Sequence, residues 1–300
     1  MGPHGRRGSG AGPLLSGPLL AAERGRRSLW AVPAETVETA ETADLLIHRD
    51  RLAPGVLEVT FNRPERRNAF TQAMYQQMRN LFGSLASDAS VRVVVLRGAG
   101  GKAFAAGNEI SDFLAADPVD YENWIREMFE RLWALPQVTI AAIDGVCVGG
   151  GLAVATHCDL RVATSASRFG YPIARTLGNA LSGTVLYRCQ SIFGESLTRE
   201  MLLASRLIGS DRAYGVGALV AAVEDAEALD AEVLGLVEGI LQAATATLQT
   251  TKTQLRVRAA ESEASMPGEE AILREVYGGP DFAEGVRSFL AKEKPAFGRG

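Results

Sequence analysis

The sequence predicts an α/β fold in which strand-strand-helix units repeat and an all-helical segment closes the chain. Three observations carry that reading. Apolar runs rich in β-branched residues, Val91–Leu96 and Val138–Val148, alternate with stretches whose apolar residues recur at helical spacing. The second run ends in three glycines, Gly149-Gly150-Gly151, and the small-residue segment Leu152–Thr156 behind them reads as a helix. Beyond Asp230 only helical periodicity remains.

Residues 1–42 stand apart from this pattern. Met1–Ala34 is rich in Gly, Pro and Arg, and Glu35, Glu38 and Glu41 follow. The pairs Leu14-Leu15 and Leu19-Leu20 are broken by Ser16, Gly17 and Pro18, which makes a poor secretory core. The segment reads as a disordered tail or as the product of an upstream start. Leu45–Arg49 and Val56–Phe61 flank Pro54-Gly55 and read as a hairpin. In Thr71–Ser87, Met74, Met78, Leu81, Phe82 and Leu85 fall at helical spacing, with Thr71 as N-cap. Tyr121–Leu135 repeats the pattern with Tyr121, Trp124, Met128, Leu132 and Leu135, a core-packing stripe that Pro136 ends. Asp159–Ala163 and Ala218–Val223 read as strands, Leu186–Ile192 and Arg199–Ala204 as helices. Helical periodicity then runs from Asp230 through Ala260 and returns over Glu269–Val276 and Asp281–Ala291.

Bulk properties narrow the function. Three hundred residues at 47% hydrophobic content bury the core of one large domain or two small ones. A net charge of −4, with arginines interspersed among acids, gives no basic face for nucleic acid. No uninterrupted apolar stretch is long enough to span a membrane. Cys147, Cys158 and Cys189 are odd in number and lack CxxC spacing. They read as reduced core residues of a cytoplasmic protein, with no metal site.

Taken alone, the glycine run is either a tight packing turn or a phosphate cradle at a helix start. The loop Phe104–Ile110 has the same character: small residues and a turn after a β-rich run. Two such turns can aim two backbone N–H groups at one point, the arrangement that stabilises an oxyanion on a thioester carbonyl. No GxxxxGK[ST] loop occurs, nor GxGxxG in the right context, which argues against nucleotide hydrolases and dinucleotide enzymes. The absence of GxSxG and HExxH argues against triad hydrolases and zinc proteases.

Together with other segments the two loops become specific. Phe61-Asn62-Arg63-Pro64-Glu65-Arg66-Arg67-Asn68-Ala69-Phe70 resembles the NRPxxxNAL signature of the enoyl-CoA hydratase/isomerase (crotonase) superfamily. Ala103–Ile110 resembles its AFxAGxDI loop, Ala141–Gly151 its AxxxGxxxGGG segment and Cys158–Arg161 its CDxR strand. Phe169-Gly170-Tyr171-Pro172 resembles the FGxPE loop and Ala218-Leu219-Val220 the GLV strand. The matches keep family order over about Leu45–Leu290.

The resemblance implies a crotonase-like spiral of ββα units over residues 43–230 that holds an acyl-CoA site. Residues 231–300 become a C-terminal helical region for oligomer contacts, in a homotrimer or a dimer of trimers. The implied ligand is an acyl-CoA thioester, with coenzyme A entering as part of the substrate and no separate cofactor. By position the oxyanion donors are the backbone N–H groups of Asn108 and Gly150, the second aided by a helix dipole. Ala106 and Ile110 flank the adenine. Arg66 and Arg67 either meet the CoA phosphates or lie on a solvated turn.

The two glutamates with which such hydratases activate water are missing. Their positions hold Ala153 and Ile173, and no Asp or Glu occurs from Arg161 to Gly194. Alkyl groups carry no proton, so water addition by a glutamate pair cannot operate unchanged. Enolate chemistry of another kind (isomerisation, decarboxylation, retro-Claisen cleavage or thioester hydrolysis) and non-catalytic acyl-CoA binding both stay open. Glu109 and Asp112, just beyond the first donor, are either catalytic substitutes or loop-fixing groups. Arg175 and Asn179 belong to the segment expected to line the pocket, and Arg175 either binds a substrate carboxylate or pairs with Glu109 or Asp112. Tyr121 and Glu122 begin the helix that covers the pocket, as a surface helix start also would. Helical phase turns His157 away from Gly150, so it reads as a satisfied core histidine.

Overall fold

The computed structural model of the protein describes residues 43–113, 117–263 and 268–298. The expected N-terminal tail lies outside these residues. Strands β1 (Leu45–Arg49) and β2 (Val56–Phe61) form the expected antiparallel hairpin. Asp50 closes its turn by accepting the Gly55 amide at 2.7 Å. Helix α1 (Gln72–Leu85) begins at Thr71, whose hydroxyl accepts the Met74 amide at 3.2 Å. A cap of this kind contributes about 1 kcal/mol. The predicted stripe of α1 is buried throughout. Strands β3 (Val93–Gly98) and β4 (Ala103–Ala105) and a single turn, α2 (Ile110–Phe113), follow. Helix α3 (Pro118–Ala134) starts before Tyr121 because Asp117 caps it, accepting the amides of Val119 and Asp120 at 3.0 and 3.2 Å.

The run Val138–Val148 is not one strand. It divides into β5 (Val138–Ile143) and β6 (Val146–Val148), which belong to different sheets. At the break Gly145 has φ +79°, and a Cβ there would sit 2.3 Å from the Lys102 carbonyl oxygen. Only glycine lets the chain turn here. Asp144-Gly145 interrupts the apolar run at this point as a turn dipeptide between the buried Ile143 and Cys147.

Helix α4 (Gly150–His157), strands β7 (Leu160–Thr164) and β8 (Arg168–Gly170) and the short α5 (Ile173–Thr176) come next. Helix α6 (Gly183–Leu203) joins the two helices expected over Leu186–Ile192 and Arg199–Ala204. A kink at Gly194, φ +73°, marks the join. Strand β9 (Ile208–Gly209), α7 (Ser210–Gly215) and β10 (Ala221–Val223) precede the closing helices. These are α8 (Ala226–Gln242), α9 (Thr245–Glu263), α10 (Glu269–Tyr277) and α11 (Pro280–Ala291).

The larger sheet has the order β1-β2-β3-β5-β7-β10 and is parallel apart from the hairpin. The smaller runs β4-β6-β8-β9, with only the last pair antiparallel. Leu229, Val233 and Val237 of α8 pack on Val56, Val93, Val95, Ile140 and Val162 of the larger sheet. The boundary drawn at residue 230 therefore falls inside a helix that belongs to the sheet. A second core joins α1, α3, α4 and α6 to the remaining strand faces. All three cysteines are buried and unbridged. No single described helix is long and apolar enough to cross a membrane.

Candidate functional site

Register in the smaller sheet builds the site. Ala105 lies opposite Cys147, and Cys147 opposite Phe169, so the parallel strands β4, β6 and β8 end side by side. The chain leaves all three at the same edge, where α/β proteins place ligands. The three loops bound a cavity of about 200 Å³ whose lining includes Ala106, Asn108, Ile110, Gly150, Ala153 and Ile173.

Neighbouring hydrogen bonds fix the two loops that carry the predicted donors. Phe70 N donates to Gly107 O at 2.9 Å and Glu109 N to Phe70 O at 2.7 Å, clamping Asn108 between them. Gly149 N donates to Gly170 O at 3.1 Å, and Gly150 is the first residue of α4. Gly149 has φ +54°, and a Cβ on it would stand 3.2 Å from Gly107 Cα, so the loops meet backbone to backbone. Among the described residues, neither the Asn108 nor the Gly150 main-chain N–H has a protein acceptor. The Gly150 amide, at the start of α4, lies at the positive end of the helix dipole. The buried Tyr75 hydroxyl donates to Asn108 Oδ1 at 2.7 Å. Burial raises the Tyr75 hydroxyl well above the usual tyrosine value, and the charges of Tyr121 and Glu122 add to the effect.

Other predicted residues part company. Ala106 and Ile110 line the cavity, and Ala153 and Ile173 present alkyl groups to it. Glu109 is not among the lining residues; it accepts from Arg66 Nη2 at 2.8 Å and Arg63 Nη2 at 3.3 Å, and so fixes its loop. Arg66 and Arg67 are both exposed, and the Arg67 main-chain oxygen accepts the Ala106 amide at 3.0 Å. Arg175 is exposed and reaches the Ala204 carbonyl at 3.4 Å, not Glu109. Asp112 falls in α2, but its side chain lies outside the described part of the structure. Asn179 lines the cavity, and among the described residues its buried Oδ1 has no donor.

His157 is a core residue, stacked on Phe129 at 4.9 Å, with Nδ1 2.7 Å from Ala153 O. Among the described residues its Nε2 has no partner, so only half of it is satisfied. Burial pulls its pKa down to about 3. Among the described residues no cluster of His, Cys, Asp and Glu side chains is arranged to hold a metal.

Glu122, expected either on the helix that covers the pocket or at a surface helix start, lines the cavity. Helix α3 lays Glu122, Ile125 and Phe129 on the cavity wall, and that three-then-four spacing was the available signal. The Tyr277 hydroxyl, from α10, donates to Glu122 Oε1 at 2.6 Å. Burial pushes the Glu122 carboxyl up to about 7; the Tyr277 hydrogen bond and Arg126 pull it down, and Glu269 adds to the rise.

The family model for enoyl-CoA hydratase/isomerase matches residues 51–300. The chain is 31% identical over 248 residues to the probable enoyl-CoA hydratase echA6 of Mycobacterium tuberculosis, covering 82% of this chain and 96% of that one. It is 30% identical over 256 residues to the human mitochondrial Delta(3,5)-Delta(2,4)-dienoyl-CoA isomerase, covering 80% and 75%. Among solved structures, an enoyl-CoA hydratase/carnithine racemase from Magnetospirillum magneticum is similar with a TM-score of 0.68 and 31% identity, over 86% of this chain and 97% of that one.

Proposed function

The chain belongs to the enoyl-CoA hydratase/isomerase (crotonase) family, and from that premise we propose that it uses a two-amide oxyanion hole on acyl-CoA thioesters. The Asn108 and Gly150 N–H groups hold the thioester oxygen as it gains charge on the way to an enolate. One observation supports this above the rest: among the described residues both amides lack an internal acceptor, and both line one cavity. A donor in such a position contributes about 100- to 1,000-fold in rate. In this reading Ala106 and Ile110 flank the adenine, and the exposed Arg67, with Arg66 beside it on Glu109, meets the CoA phosphates. Ala153 and Ile173 cannot relay protons, so the reaction is not water addition by a glutamate pair. Assembly as a homotrimer or a dimer of trimers is part of this reading. Exposed Leu255 and Val257 on α9 supply apolar surface for it.

The alkyl groups at 153 and 173 also favour a second reading, a non-catalytic acyl-CoA binder. Turnover separates the two. The first reading predicts acyl-CoA-dependent thermal stabilisation and turnover of at least one thioester from a panel. It also predicts that Asn108→Pro, which deletes the donor N–H, lowers that turnover by about 100-fold or more. Stabilisation without any turnover supports the binder, and an unchanged Asn108→Pro rate removes the assigned hole. Crotonyl-CoA should lose its enoyl absorbance slowly or not at all.

A further inference from the structure

We propose that Glu122 takes and returns the α-proton of the bound thioester, and that Tyr277 is its positioning residue. This rests on the oxyanion reading above. Among the described residues that line the cavity, Glu122 carries the one carboxyl group. The other titratable side chains there are Tyr75 and Tyr171, whose hydroxyls burial raises well above the usual tyrosine value. Neither serves as a base near neutrality, and Tyr75 is already committed to Asn108.

Placement supports the same residue. Glu122 comes from α3, lines the same cavity as the loops that carry the amides, and lies within electrostatic reach of Tyr75, which touches Asn108. Its Oε1 is occupied by the Tyr277 hydroxyl. Among the described residues its Oε2 has no donor, which leaves that oxygen to accept a proton. The charged and titratable groups that act on this carboxyl are Arg126 on its own helix, Tyr277 and Glu269 on α10, and Tyr75 on α1. Arg126 is held by Glu269 at 3.2 Å, so its pull on Glu122 is shared. Burial leaves the carboxyl poised at about 7, where acid and base forms are both populated.

The step balances with one carboxyl. Glu122 Oε2 accepts the Cα proton, the C–H bond breaks, its electron pair forms the double bond between Cα and the thioester carbon, and the carbonyl π pair moves onto the oxygen between the two amides. The enolate then collapses as the same carboxylic acid gives a proton back to the carbon framework. No water or second acid takes part. This chemistry selects acyl-CoA thioesters with an abstractable α-hydrogen and relocates a proton; it does not hydrate a double bond.

The experiment follows deuterium uptake at the α carbon of butyryl-CoA in D2O, beside thermal stabilisation by the same ester. Expected for the wild type are stabilisation and uptake that rises with pH through about 7, since the base form acts. Glu122→Gln should keep the stabilisation and lose uptake by about 100-fold or more, and Glu122→Asp should recover part of the rate. Tyr277→Phe should fold and move the midpoint of the pH profile upward, because a donor to the carboxylate is gone. Equal uptake by wild type and Glu122→Gln overturns the Glu122 assignment and leaves the oxyanion hole standing. Stabilisation without wild-type uptake overturns the proton transfer and supports the binder. Failure of the ester to stabilise the wild type defeats the underlying reading, and this inference with it.

Discussion

The Tyr75 hydroxyl donates to Asn108 Oδ1 at 2.7 Å, so α1 holds the loop that presents the first cavity amide. The same two atoms guard the second. A Cβ on Gly150 would lie 2.2 Å from Asn108 Oδ1 and 2.6 Å from the Tyr75 oxygen. The pair therefore makes Gly150 a glycine as well as fixing Asn108.

Tyr75→Phe deletes this donor and leaves a part-buried carbonyl oxygen unpaired. Loss of about 1–3 kcal/mol of stability is expected, read as a lower urea midpoint. Thioester turnover should fall with it. An unchanged midpoint would show that the loop is held by its main-chain clamp alone.

Gly151→Ala tests the close approach of α4 to β4. The new Cβ would stand 2.3 Å from the Ala105 carbonyl oxygen and 2.8 Å from its Cβ, atoms that cannot swing aside. Overpacking of this kind costs about 1–3 kcal/mol. Thermal denaturation of the variant against wild type measures it, and an equal Tm would contradict the packing.

Glu122 and His157 give opposite pH dependences. The Glu122 carboxyl is raised from 4.5 to about 7, so the folded state holds its proton more tightly than the unfolded chain. Its contribution to stability is complete below about 4.5 and is lost as pH rises through about 7. His157 is lowered from 6.5 to about 3, so its contribution is present above 6.5 and is lost as pH falls toward 3. Urea denaturation from pH 4 to 8 should show the first slope disappear in Glu122→Gln. If the variant keeps the wild-type slope, the carboxyl is not held in its neutral form.

Glu109→Gln removes the charge that two arginines share. Arg63 and Glu109 each keep only 15% side-chain exposure, so a cost of about 1 kcal/mol is expected. The difference from wild type should shrink as salt is raised. A denaturation series in sodium chloride checks both points, and a salt-independent difference would rule out the ion pair as its source.

Periodicity made α1 and α3 legible because each buries a long stripe, and the hairpin was legible because a turn signal separates its strands. Strands of two or three residues, such as β4, β8 and β9, carry no pattern to read. Of the site, Ala106, Asn108, Ile110 and Gly150 were legible as members of two small-residue loops, and all four line the cavity. The surroundings of Glu109, Arg175 and Glu122 were not. Each depends on a partner far along the chain: Arg63 and Arg66 for the first, Ala204 for the second, Tyr277 for the third. No local spacing encodes such meetings.

Tyr277 and Phe289 belong to the last helices, yet the first touches Glu122 and the second helps to wall the cavity. Shortening the protein by its final thirty or so positions would spare both sheets and every glycine of the two amide loops. It would still unroof the chamber, flood the acid with solvent and return it to ordinary surface behaviour. Helices α10 and α11 are thus part of the cavity's enclosure.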